Sequence, residues 1–217
     1  MGFSAVFANI AILINGFVVT IQLSIIAIVL GTLLGSLLGI LRALDFRILS
    51  GTIRAYVAVF RGTPLLMQLF FAFFGLPMLG FDVDRAAAAV VALTSYSGAY
   101  ISEIVYGGII AVAKDQGDAA KAVGLSFWQM MRFVVLPQAM VVTLAPLVSW
   151  YIGVVKDTTV ASVIGYTDLL RNATAVVAVT NSPFETYLVT AGFFFLLTVP
   201  MGRVVAILEA RTARGWQ

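Results

Sequence analysis

Long apolar runs separated by short charged breaks organise this chain from end to end. Five stretches, at about 10–41, 56–79, 85–113, 130–155 and 183–208, each exceed the roughly 18 residues that mark a membrane-crossing helix. Hydrocarbon offers the backbone no hydrogen-bond partners, so apolar runs of this length must satisfy themselves as α-helices. The pattern predicts an all-α polytopic membrane protein of about five transmembrane helices. Residues 1–217 then form a single transmembrane domain, because no polar stretch is long enough to build a soluble one.

Two places break the pattern. Between the third and fourth runs lies "DAAKAVGLSFWQ", residues 118–129, with an acid, a base, three alanines and a glycine. Its alanines favour helix, and Asp115 or Asp118 is suited to cap the start of a short one. Gly124 is placed to end that helix in the left-handed conformation, and Ser126 with Gln129 matches a capping box opening the next. The reading is a compact helix whose small side chains suit docking into a protein groove, with a plain loop helix as the alternative. The second break follows the fourth run. In "KDTTVASVIGYTDLLRNATAVVAVTNSP" the apolar pieces are too short to span and are interrupted by Gly165, Asp168, Arg171 and Asn172. Such interrupted segments are where transporters place substrate sites, and an amphipathic outer-surface segment is the competing account.

Within the runs, Gly31, Gly35 and Gly39 recur every four residues, a ridge that admits close helix approach either within the subunit or between subunits. Thr63 and Pro64 in "RGTPLL" mark a helix start or kink. Glu103 falls about midway through the third run. A carboxylate at that depth costs about 2.5 kcal/mol or more, so it faces a pathway, or else a helix–helix hydrogen bond or a proton relieves it. Lys156 and Asp157 are adjacent and point in different directions on a helix, so one is free to line a cavity. Interfacial snorkelling is the rival explanation for both.

Charge adds orientation. Ten of the thirteen basic residues flank one side of the predicted spans: Arg42, Arg47, Arg54, Arg61, Lys114, Lys121, Arg132, Arg203, Arg211 and Arg214. Basic residues concentrate on the cytoplasmic side, which predicts an outside N-terminus, an inside C-terminus and a cytoplasmic 118–129 segment. Composition narrows the chemistry. The chain has 61% hydrophobic and 11% charged residues, with no cysteine and no histidine. Disulfides, thiol nucleophiles, Cys/His metal sites and histidine acid–base catalysis are excluded. The first residues read neither as a cleaved signal peptide nor as a myristoylation site. No GxxxxGK[ST] phosphate-binding loop is present.

The stretch "DAAKAVGLSFWQMMRFVVLPQA" resembles the EAA motif of binding-protein-dependent ABC importer permeases. Asp118 stands for its Glu, and Ala119, Ala120, Gly124, Val134, Leu136 and Pro137 keep its spacing. "FRGTPLLMQLF", "GGIIAVAKDQG" and "KDTTVASVIGYTDLL" are similar to the polar amino acid branch of that family, with Tyr106 where many relatives carry Arg. The resemblance implies a type I importer in the bacterial inner membrane. Two permease subunits, a homodimer or a heterodimer, would work with cytoplasmic ATPase subunits and an external substrate-binding protein. Residues 115–137, with Asp118, Ala119, Ala120, Gly124 and Leu125 at their centre, would couple to the ATPase. That partner would bind the ATP, so this chain is expected to carry no cofactor, no metal and no catalytic residue, and to bind no nucleic acid. Glu103, Lys156, Asp157 and Thr159, with Tyr100 and Gln68, are the expected pathway for a small polar amino acid. A secondary transporter using Glu103 as a proton or ion relay is the alternative.

Overall fold

The computed structural model describes the backbone of residues 2–44 and 46–214, and within these the side chains of all but 113–115, 121 and 211–214. The predicted cap at Asp115 and the charges on Lys114, Lys121, Arg211 and Arg214 lie outside the described side chains. The described residues are all-α. A short helix α1 (Gly2–Ala8) leads into the long α2 (Ile10–Ala43). Next come α3 (Arg47–Gly62), α4 (Leu65–Met78), α5 (Arg85–Ala122), α6 (Phe127–Ile164, its last turns 3-10), α7 (Leu169–Thr180) and α8 (Pro183–Arg214).

Four of these helices, α2, α5, α6 and α8, are long and apolar enough to cross a membrane. The predicted second span, 56–79, is not one straight helix, and counting it as a broken span brings the number to five. It is a bent pair, α3 and α4, whose axes meet at 105°. Thr63 and Pro64 sit at the corner, both extended. Pro64 is the N-cap of α4 itself, and the Thr63 hydroxyl instead donates back to the Val59 carbonyl (2.8 Å). The residue before a proline is driven out of helical conformation, which breaks the run here. Two other prolines are absorbed differently. Phe71–Gly75 and Met131–Val135 are single π-turns directly ahead of Pro77 and Pro137. The wider turn makes room for a ring that lacks an N–H, and the helix continues.

The glycine ridge packs within the subunit. A Cβ on Gly31 would lie 2.8 Å from Ser97 Cβ, on Gly35 2.7 Å from the Gly98 carbonyl oxygen, and on Gly39 2.9 Å from the Ser102 carbonyl oxygen. Helices α2 and α5 therefore run parallel in near backbone contact, with Ser97 and Ser102 fully buried between them. Beside this seam, Leu23, Leu65, Leu69, Leu93 and Ile164 form the main core. Val6, Leu13, Leu169, Ala173 and Val176 close the opposite end of α2 against α1 and α7. The apolar pieces after residue 158 thus pack as a tight turn and a short helix on the bundle.

Gly35 gives the test of the seam. A leucine there would place carbon 2.6 Å from Ile101 Cβ, and overpacking of this kind costs about 1–3 kcal/mol. Gly35→Leu should lower the melting temperature of the detergent-purified chain. Gly202→Leu, where a side chain meets open space, should leave it nearly unchanged.

Candidate functional site

Helix α5 carries the charged centre of the site. Glu103 lies 18 residues beyond Arg85, about 27 Å along the axis at 1.5 Å per residue, against a hydrocarbon thickness of about 30 Å. Its contact with Arg42 sets it level with the last turn of α2. The glycine seam decides this, since it sets α2 beside α5 in a register that brings Arg42 to Glu103.

Two arginines converge on the carboxylate. The Arg42 guanidinium donates to Oε1 in a close ion pair, and Arg61 Nη1 lies 3.8 Å from Oε2. Arg42 is the more enclosed, with a side chain 14% exposed against 43% for Arg61. Each arginine also stacks on an aromatic ring. Arg42 lies 4.0 Å from the Tyr106 centroid, and Arg61 lies 4.9 Å from that of Tyr100. Tyr106, where the family pattern has Arg, thus receives its cation from α2.

An aromatic stack leads away from the cluster. Tyr100 lies flat on Trp150 of α6 (4.0 Å, 14°), and Tyr96 leans on both rings. The Trp150 indole N–H donates to the Ser97 hydroxyl (3.0 Å), which ties the stack to the glycine seam. Glu103 and Tyr100 share Arg61 as a common neighbour. Asp157 is partly buried near Leu65, Leu69, Leu93 and Val160, whereas Lys156 is exposed. Thr158 and Thr159 return their hydroxyls to the carbonyls of Val155 and Lys156 (both 2.7 Å), bonds that accompany the change to 3-10 geometry. Gln68 faces a separate apolar cavity of about 400 Å³ beside the α3–α4 corner. Its amide donates to Phe60 and Thr63, while its carbonyl oxygen is buried without a partner.

The 118–129 segment is not a separate helix. Helical hydrogen bonding in α5 runs unbroken from Arg85 to Ala122, so the predicted start near 115–118 does not exist. The cap at the far end is Asp84, whose Oδ1 accepts from Ala87 N–H (2.7 Å). The predicted stop is present. Gly124 has φ +78°, and Leu125 N–H returns to the Ala120 carbonyl (3.1 Å), the 6→1 bond of a left-handed helix terminus. The capping box follows, with Ser126 and Gln129 exchanging side-chain and backbone bonds. Ala120 is buried against Met130 and Met131, and Leu125 packs beside them. Asp118, Ala119 and Gly124 face outward.

At the other end, fully buried Asp168 caps α7 by accepting from Arg171 N–H (2.9 Å). Burial pushes its carboxyl up to about 6, partly offset by backbone N–H donors. Leu169 N–H donates to Thr20 (3.0 Å) and the Asn172 amide to the Ile12 carbonyl (2.9 Å), fastening α7 to α2. Arg42, Arg61 and Trp150 escape a linear reading. The arginines look like topology signals, and Glu103 is 61 positions from Arg42.

The cluster orders its own variants. Glu103→Gln removes the one carboxylate that two guanidinium groups share. At a side chain about a third exposed, solvent screening should hold the loss of stability to about 1–2 kcal/mol. Arg61→Gln should cost less than about 0.5 kcal/mol, because that contact is longer and more exposed. Thermal unfolding of the purified variants checks the order, and a larger drop for Arg61→Gln would overturn the assignment.

Comparison with known proteins agrees with this architecture. Residues 31–214 match the family described as the binding-protein-dependent transport system inner membrane component. The chain is 34% identical to the probable glutamine ABC transporter permease protein GlnM of Bacillus subtilis (strain 168) over the whole of both chains. It is 35% identical to the arginine transport system permease protein ArtQ of the same organism, covering 92% of this chain and 91% of that one. A solved structure entitled "Crystal structure of an amino acid ABC transporter with histidines" superposes with a TM-score of 0.91. Sequence identity there is 32%, with 97% of this chain and 99% of that chain covered. This multi-pass membrane protein belongs to the family of inner membrane components of binding-protein-dependent transport systems, the permease subunits of ABC importers.

Proposed function

We propose that this permease carries a polar amino acid inward by alternating access, driven by a separate ATPase. The observation that carries the reading is the 118–129 segment. A left-handed stop at Gly124 and a capping box at Ser126 join two long helices rigidly, and they leave the small, polar face of Asp118 and Ala119 exposed at the joint. An ATPase gripping that joint would move α5 and α6 together. The relatives' names, glutamine and arginine permeases, support the substrate class. The ATP would bind the partner. An external binding protein would deliver substrate, and a second permease subunit would complete the path. Glu103, Tyr100, Asp157 and Thr159, with Lys156 and Gln68 nearby, are the residues proposed along it. Glu103 is a poor proton relay, since two arginines already engage its carboxylate.

Coupling is tested at the exposed positions. Ala120 packs inward, so a bulky residue there would disturb the bundle itself. Ala119 and Gly124 are the informative sites. A side chain at the left-handed Gly124 costs roughly 1–2 kcal/mol. Gly124→Val and Ala119→Trp should insert normally in the membrane yet lose at least tenfold in binding-protein-stimulated ATP hydrolysis after reconstitution, about 1.4 kcal/mol of coupling. Full assembly and stimulation in both would falsify the coupling role.

Orientation has its own test. The N-terminus is proposed outside and the C-terminus cytoplasmic, following the one-sided arginines. In this Cys-free chain, Asp82→Cys should react with an impermeant external thiol reagent and Gln116→Cys should not. The reverse pattern would invert the topology.

A further inference from the structure

A trough of about 590 Å³ runs between α2, α5 and α6 on the flank of the bundle. Its α6 wall is a stripe at helical spacing: Arg132, Leu136, Met140, Thr143, Leu147 and Tyr151. The far end is crossed by a hydrogen bond between the Thr32 and Tyr151 hydroxyls (2.9 Å). From Arg132 to Tyr151 is 19 residues, about 28 Å of helix, close to the roughly 30 Å of the hydrocarbon layer. The rim is open, since Met140 is 62% exposed and Leu144 43%. Arg132 stands exposed at the mouth, its guanidinium 5.6 Å from the Phe133 ring, at the end of the molecule where Arg42 and Arg47 also lie.

We propose that this trough is a binding site for one anionic phospholipid, with an acyl chain along the α6 stripe and the headgroup phosphate on Arg132. The trough is long enough to take one extended acyl chain, and Arg132, the only charged residue among its described wall residues, sits at one end, where a headgroup would be. Basic pockets between transmembrane helices select anionic headgroups, at about 1 kcal/mol per arginine near the surface. The lipid would fill the gap between α2 and α6 and brace α6, which begins at the capping box.

The test is native mass spectrometry of the full-length chain, released from mild detergent with phosphatidylglycerol or phosphatidylcholine present. The wild type should retain one phosphatidylglycerol, with phosphatidylcholine held about fivefold less well. Arg132→Gln should erase that preference, while Arg203→Gln, an exposed arginine on α8, should keep it. Met140→Trp, which fills the trough, should lose either lipid. Equal retention of the two lipids by the wild type would overturn the site, as would an unaltered preference in Arg132→Gln or lipid retained by Met140→Trp. An equal loss in Arg203→Gln would reduce the effect to overall charge and overturn it too. Efficient oxidative cross-linking of Met140→Cys in native membranes would assign the trough to a second copy of the chain instead. None of these readouts depends on an ATPase, so they succeed or fail separately from the transport reading.

Discussion

Near backbone contact between α2 and α5 is the constraint on which the rest of this structure depends. Two membrane helices gain no hydrophobic drive from pairing in lipid, so they associate through close packing and interhelical hydrogen bonds. Gly31, Gly35 and Gly39 allow that packing, and in doing so they fix register as well as distance. The register has chemical consequences. It seats Ser97 where its hydroxyl accepts the Trp150 indole, and it brings Arg42 to Glu103 and Tyr106.

The polar groups of the site are arranged to answer one another. Glu103 carries one negative charge and faces two guanidinium groups, so the cluster keeps a net positive charge toward the mouth of the bundle. Part of that excess is spread over aromatic faces, with Tyr106 under Arg42 and Tyr100 under Arg61. Tyr100, Trp150 and Tyr96 form one continuous aromatic stack beside the cluster. Motion of α3 relative to α5 would disturb the Arg61 contacts first, because those are the longest and the most exposed. That ordering makes Arg61 the side chain that first registers a shift of α3.

Helix punctuation performs a different task at the joint. A left-handed glycine, a 6→1 bond and a capping box connect α5 to α6 in four residues. Such a joint has little freedom, so force applied to its outer face reaches both spans. The inner face is plugged by Ala120 against Met130 and Met131, which keeps the segment attached to the bundle. The proline-linked π-turn at Met131–Val135 then redirects α6 without breaking it.

Local physics made much of this legible from sequence alone. Apolar run length specifies membrane helices because hydrocarbon leaves the backbone no alternative. Gly124 and the Ser126–Gln129 box are local backbone chemistry, and both appear as the residues require. The glycine ridge could be recognised from spacing, though not which helix it meets. Sequence could not show that α5 continues through 115–118, because a potential cap such as Asp118 is equally content on an exposed helical turn. Nor could it show the 105° corner at Thr63–Pro64, since a break fixes where helices part but not the angle between them. Which groups answer the Glu103 carboxylate is hidden in the sequence, because they lie 61 and 42 positions away. Only the packing of α2 and α3 on α5 closes those distances, and ion pairing depends on distance in space.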